Sequence, residues 1–415
     1  MTVDLSSIPR GGLANLHSLA PEFDTEMERI AAWWLAHAVD NDNGGYFGEV
    51  DLSGAPIHET PRSVILIARI LWFFSAAAKH GQNQFFDQQA ERACDYLLSA
   101  FIDSDNGGVF WAVDREGRAC NTRKQAYAQA FAIYGLAAFH RLTEDAKAID
   151  TAYSLFGLLE KRFHDHAYGG YWEAFSGNWS PIADMRLSDK DNNTPKSMNT
   201  HLHIMEAYAE LYRARPNAAL KAALRRIVEL HLDRIMTPCG QRLRLFFSRE
   251  WEELSHTVSF GHDIEAAWLL CDAAETLGEA ALTERARRAA VSLAEEVLRS
   301  AVGGRGDVFY EKDLSTGRVE RARVWWVQAE AMVGFMNAFE LTKDKRFADA
   351  VRASWSFIRR HVIAPDGEWR GLSDIDKNVE PRWAGPWKAC YHNGRSMIEM
   401  SVRVRRQEGI DRFDQ

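Results

Sequence analysis

Apolar residues recur at i, i+3, i+4 and i+7 over Ile65 to Ala77, Ala126 to Phe139, Leu202 to Tyr212, Ile264 to Leu277 and Val327 to Leu341. That period follows one face of an α-helix, so a helix is predicted in each segment. A second set follows at Phe86 to Leu98, Ala148 to Leu159, Ala219 to Leu232 and Leu282 to Leu298. Glycine-aromatic segments punctuate them: Asn43-Gly44-Gly45-Tyr46-Phe47, Asn106-Gly107-Gly108-Val109-Phe110-Trp111 and Tyr168-Gly169-Gly170-Tyr171-Trp172. Looser copies lie at Cys239 to Leu243, Gly303 to Tyr310 and Asp366 to Trp369. The spacing is roughly 60 to 70 residues, and six copies fill the chain. Glycine pairs supply the positive φ of a tight turn, and the aromatic residues after them read as short strands.

Two helices per copy give about twelve in all. Helix pairs with short β-hairpins at one end predict an all-α fold, an (α/α)6 barrel of inner and outer helices. An open solenoid of helix pairs is the alternative. Six copies without evident polar capping repeats favour closure. No Pro/Gly/Ser-rich linker divides the chain, so residues 1–415 are expected to form one catalytic domain.

The repeat changes the meaning of the histidines. His203, His262 and His392 all lie at or near the start of an apolar helical run that follows a glycine turn. In a closed ring those starts converge on one central pocket. His203/Glu206 and His262/Glu265 share the spacing His-x-x-Glu. Residues three apart share a helix face, so each Glu is expected to orient its His. Three such histidines at one pocket predict proton transfer near neutral pH. His201 points to a different face from His203 and reads as a cap or a satisfied core residue.

Composition narrows the classes. The net charge is −8 with no basic patch interleaved with aromatics, which excludes nucleic acid as a partner. No apolar run approaches the roughly 20 residues of a membrane span. Met1 to Leu19 lacks the basic and apolar regions of a secretory signal. Cys94, Cys120, Cys239, Cys271 and Cys390 are odd in number and lack CxxC spacing, as expected for reduced thiols in the cytoplasm. Cys390 lies close to His392 along the chain, which is weak grounds for a catalytic pair. Fourteen tryptophans are unusual; such rings either fill a core or stack on sugars.

The motifs resemble those of the N-acylglucosamine 2-epimerase superfamily, most closely its cellobiose 2-epimerase branch. The resemblance rests on Met198-Asn-Thr-His-Leu-His203, Ser259-Phe-Gly-His-Asp-Ile-Glu-Ala266, Trp325-Trp-Val-Gln-Ala-Glu330 and Tyr391-His-Asn393. Ala68-Arg-Ile-Leu-Trp72 and Lys124-Gln-Ala-Tyr-Ala-Gln129 extend it over nearly the whole chain. It implies the same barrel, and interconversion of sugars without metal or redox cofactor. It implies His262 and His392 as the acid/base pair, His203 at the reacting end of the sugar, and Arg69 beside the oxygen at C1 or C2. Tyr127, Asp191, Asn199 and Glu265 fall at sugar-binding positions, and Trp325 and Trp387 at stacking platforms. Cys390 departs from the family, where proline often precedes the tyrosine.

The implied reaction is epimerisation at C2 of the reducing-end aldose of β-1,4-linked disaccharides: cellobiose to glucosyl-mannose, and also lactose and mannobiose. Epimerisation of free mannose, or mannose–fructose isomerisation, needs the same groups. The expected partner is thus a small sugar, on a monomer or homodimer. A glycosidase would need a distinct pair of carboxylates, and a non-catalytic sugar-binding protein leaves three positioned histidines unexplained. A metal site is disfavoured, because neither HExxH nor a cysteine cluster is present.

Overall fold

A computed structural model describes residues 16–81, 83–376 and 382–411. The first 15 residues of the N-terminal stretch weighed above as a signal lie outside them. Among the described residues, twelve α-helices alternate between two concentric layers. The inner layer holds α2 (Val64–Gly81), α4 (Ala126–Thr143), α6 (Met198–Ala214), α8 (Phe260–Leu277), α10 (Trp325–Thr342) and α12 (Tyr391–Asp411). The outer layer holds α1 (Ala20–His37), α3 (Gln84–Tyr96), α5 (Ala146–Leu158), α7 (Ala218–Leu230), α9 (Ala280–Ser300) and α11 (Lys345–Phe357). Each inner helix packs on the next, and α12 packs back on α2, so the ring is closed. The fold is an (α/α)6 barrel.

The inner helices are apolar nearly all round because they are covered on both sides, as expected for fully buried helices. By length and composition alone, α2 would qualify to cross a membrane, but most of it is buried in the ring. Helix α4 begins at Ala126, where its apolar period predicts, but two other inner helices begin a full turn earlier than theirs. Helix α6 starts at Met198 rather than Leu202, and α8 at Phe260 rather than Ile264. Their first turns carry polar residues that face the pocket, so the hydrophobic pattern misses them.

The six glycine segments close equivalent antiparallel bridges: Val39 with Tyr46, Ile102 with Val109, His164 with Tyr171, Met236 with Leu243, Val302 with Val308, and Ile363 with Trp369. Gly170 shows why glycine is needed. Its φ is +74°, and a Cβ there would lie 2.4 Å from the Trp251 ring and 2.7 Å from His201 Nε2. Most strands are two or three residues long and join neighbouring repeats as well as forming hairpins. Val50–Asp51 pairs with Arg382–Ala384, stitching the first repeat to the last.

Ion pairs, buried except at the half-buried Arg323, fasten five of these turns to the segment before an inner helix. They are Asp40 with Arg62, Asp103 with Lys124 (2.6 Å), Asp165 with Lys196 (3.0 Å), Asp307 with Arg323 (2.7 Å) and Glu368 with Lys388 (3.1 Å). Removing one partner of such a pair typically costs about 3–5 kcal/mol, because the other charge is left buried alone.

The fourth residue of four inner helices accepts a backbone N–H from its own turn. Gln129 accepts from Val109 (2.8 Å), His201 from Tyr171 (2.8 Å), Asp263 from Leu243 (2.8 Å) and Gln328 from Val308 (2.9 Å). His201 also meets the Ser197 carbonyl at 2.6 Å through Nδ1, so both its nitrogens are satisfied and its role is structural.

Asp263 is the one ordinarily ionised group among these four, and burial pushes its carboxyl up to about 8. An unfolded Asp ionises near about 3.9. The folded protein therefore retains a proton that the unfolded chain releases, and stability is lost as pH rises between those values. Asp263→Asn keeps the acceptor for Leu243. It is expected to raise Tm by about 2–4 °C at pH 8 and by less at pH 5. An equal shift at both pH values, read by calorimetry, would show Asp263 ionised in the folded state.

Candidate active site

The same register builds the pocket. The second residues of α4, α6, α10 and α12 are Tyr127, Asn199, Trp326 and His392. The sixth residues of α2, α4, α6, α8 and α10 are Arg69, Phe131, His203, Glu265 and Glu330. Equivalent positions in a closed ring face one axis, which gathers these side chains from helices distant in sequence.

Trp326 marks the proximity of two histidines. Its ring lies 4.8 Å from that of His262 and 5.6 Å from that of His392. His203 lies 4.8 Å from the Phe131 ring and 5.0 Å from the Tyr127 ring. Every one of the three histidines has Nδ1 engaged by the protein. His203 Nδ1 meets Glu206 Oε2 at 2.8 Å, as the His-x-x-Glu spacing predicts. His392 Nδ1 meets Glu330 Oε1 at 2.6 Å.

His262 differs from its expectation. Its Nδ1 meets Ser259 Oγ at 2.7 Å and makes no bond to Glu265. Ser259 precedes α8 and does not cap it, so its hydroxyl is free for the histidine. The Glu265 carboxylate instead accepts from Arg395 at 2.7 Å. It also lies 3.9 Å from His392 Nδ1. Burial pushes His262 down to about 3 and also lowers His203 and His392, so all three imidazoles are neutral at pH 7.

Arg69 is 3% exposed and its hydrogen bonds go to neutral oxygens, the Trp387 carbonyl and the Tyr127 hydroxyl, both at 2.9 Å. No described carboxylate pairs with it, and its Nε lacks a partner. A buried cation without an anion is costly and fits a site where an anion forms during reaction. The indole of Trp387 is 40% exposed and lies 6.0 Å from Trp111 and 6.1 Å from Tyr127, an aromatic group above Arg69. Trp325 is 5% exposed, with the Lys388 ammonium 5.1 Å over its ring and the His392 ring at 5.4 Å.

Asp191 and Asn199 line a cavity of about 210 Å³ that reaches the histidines at His262. Asp191 accepts from Ser188 N at 2.8 Å and Ser188 Oγ at 2.9 Å. Asn199 Oδ1 is buried without a partner, an acceptor that a sugar hydroxyl would satisfy.

Glu265, Glu330 and His392 lie close enough to suggest a cation site. The guanidinium of Arg395 occupies that place, donating to Glu265 and Glu330 at 2.7 Å each. The Cys390 thiol is buried and pushed well up, which keeps it protonated and unlike a nucleophile. Sequence reasoning assigned no role to Glu330, Arg395, Ser259 or Trp326. Glu330, Trp326 and Ser259 stood within recognised motifs, and the helix register of the first two could have drawn attention to them.

The family profile for N-acylglucosamine 2-epimerase matches residues 45–395. A cellobiose 2-epimerase from Bacteroides fragilis is 39% identical over 375 residues, covering 90% of this chain and 95% of that protein. The structure of a cellobiose 2-epimerase from Bacillus thermoamylovorans superimposes with a TM-score of 0.89 at 34% identity, covering 93% of this chain and 99% of the other. A D-mannose isomerase from Thermobifida fusca is 23% identical over 386 residues, 89% of this chain and 91% of that one. In sequence and in backbone the match runs along nearly the whole chain, which belongs to the N-acylglucosamine 2-epimerase family and is a carbohydrate epimerase.

Proposed function

We propose that the chain epimerises the reducing-end aldose of β-1,4-linked disaccharides at C2, converting cellobiose to glucosyl-mannose and acting likewise on lactose and mannobiose. The observation that carries this reading is the pair His262 and His392 around Trp326, each with Nδ1 engaged by the protein and Nε2 left for the sugar. One histidine takes the C2 proton of the open-chain aldehyde. The electron pair of the C–H bond moves into the C1–C2 bond, and the carbonyl oxygen becomes an enediolate oxygen. Arg69 supplies the positive charge for that oxygen, and His203 supplies a hydrogen bond at the reacting end.

The second histidine then gives a proton to the opposite face of C2, and the carbonyl re-forms. The pair exchanges protonation states in each turnover, and exchange with solvent restores them. Since the buried imidazoles are neutral at pH 7, the acid must gain its proton with the substrate. The negative enediolate raises the pKa of the histidine facing it, which favours that uptake.

Incubation with cellobiose, mannose and N-acetylmannosamine, followed by product analysis, tests the assignment. Glucosyl-mannose from cellobiose is the expected product. Fructose from mannose would identify an aldose–ketose isomerase, the second reading, which the Thermobifida relative supports. Shorter sugars would identify a glycosidase.

Two further outcomes follow. Trp387→Ala is expected to raise KM for cellobiose several-fold more than KM for mannose, because stacking contributes about 0.5–1.5 kcal/mol beyond buried area. Equal changes for both sugars would remove Trp387 from the second ring. Protein stripped with EDTA and shown metal-free is expected to retain full activity, since the Arg395 guanidinium already occupies the acidic cluster. Activity lost on stripping and restored by a divalent ion would contradict this.

A further inference from the structure

Arg395 is the fifth residue of α12 and is 1% exposed. Its Nη1 donates to Glu206 Oε1 and to the Tyr391 hydroxyl, and its Nη2 donates to Glu265 Oε1 and Glu330 Oε1 at 2.7 Å each. The rings of Tyr391 and Trp268 lie 4.2 Å and 4.7 Å from the guanidinium carbon. One cation thus spans carboxylates from α6, α8 and α10. Two of those carboxylates are the ones that meet His203 Nδ1 and His392 Nδ1.

We propose that Arg395 is a positioning residue for epimerisation: by tying Glu206, Glu265 and Glu330 together it keeps the carboxylates behind His203 and His392 as acceptors, so both histidines carry their proton on Nδ1 and turn Nε2 to the sugar. The catalytic part of this statement rests on the two-histidine reading above.

A guanidinium is a donor only and remains charged, so each oxygen it meets must accept. Glu330 meets two groups that can only donate, Arg395 Nη2 on Oε1 and Trp268 Nε1 on Oε2 at 3.0 Å, and His392 Nδ1 shares Oε1 with the guanidinium. Glu206 meets Arg395, His203 and the Tyr391 hydroxyl, the last at 2.6 Å and 2.7 Å. Neither carboxylate has a role for a proton of its own. Burial and mutual repulsion already push Glu265 up to about 8 and raise Glu330, and Arg395 opposes both shifts, so without the guanidinium a proton is held more firmly among these carboxylates. A proton on Glu330 can then donate to His392 Nδ1. That histidine becomes the Nε2–H tautomer and has no lone pair to accept from C2.

The test is the nitrogen NMR spectrum of histidine-labelled protein without sugar, with signals assigned by their loss in His203→Asn and His392→Asn. The wild-type protein is expected to show protonated Nδ1 and unprotonated Nε2 at both residues. In Arg395→Gln the His392 pattern is expected to invert, with kcat lowered at least about 10²-fold, as for other histidines held in the wrong tautomer, and KM nearly unchanged. Glu330→Ala serves if Arg395→Gln does not fold: it removes the acceptor of His392 Nδ1, so His392 is expected to lose its fixed Nδ1–H form while His203 stays as it was. Wild-type His392 protonated on Nε2, or a folded Arg395→Gln protein that keeps both patterns and its kcat, would overturn the proposal. Failure of the wild type to turn over cellobiose would count against the substrate reading alone, because the spectra need no substrate.

Discussion

Replacing His262 or His392 with asparagine is expected to lower kcat by about 10² to 10⁴, with sugar binding and the barrel largely retained. Each change removes one of two obligatory proton transfers. The double variant should therefore be little slower than the worse single one, as for residues that act as a unit. The surroundings limit the structural damage. Glu330 keeps its bonds to Arg395 and Trp268 when His392 is replaced. Ser259 is the hydrogen-bonding partner of His262 Nδ1, so His262→Asn leaves no buried charge behind. Steady-state kinetics with Tm measured alongside would check both statements. Two single variants with near-normal kcat would remove these residues from the proton transfers.

Arg69→Met is expected to lower kcat by about 10² to 10³, the effect of losing one donor to a developing oxyanion. Its signature is an unchanged or higher Tm. Arg69 is a buried cation bonded to neutral oxygens, so removing it relieves a desolvation cost and breaks no ion pair. Activity and stability then move independently or in opposite directions, as at a site kept for function. A Tm lowered by several degrees with normal kcat would make Arg69 a packing residue.

Periodicity reveals the barrel because every repeat solves the same problem. Its inner helix is covered on both sides, its outer helix on one, and a glycine turn returns the chain. The expected segments at Ala126 to Phe139 and Ala148 to Leu159 lie within α4 and nearly within α5. Helices α1, α11 and α12 were not delimited in this way. Helix α11 carries charge along its exposed face, and the first turn of α12 is filled with site residues.

At the site, the legible contacts were local. His203 and Glu206 are three residues apart and bonded as expected. His262 and Glu265 share that spacing and are not bonded, because Ser259 and Arg395 compete for them from outside the helix. Arg395 itself is separated from Glu206 by 189 residues, from Glu265 by 130 and from Glu330 by 65. No spacing rule reaches that far. Only ring closure brings the four together. The burial of Trp325 beneath Lys388 was equally illegible, since exposure belongs to the packed fold.

Turnover of cellobiose in D2O, with the epimerised product analysed for deuterium at C2, measures most directly whether protein histidines carry protons to and from that carbon. Deuterium at C2 of the product is expected, because the histidine that delivers the proton exchanges with solvent. Product without deuterium at C2, beyond what internal return of the original proton explains, would contradict it.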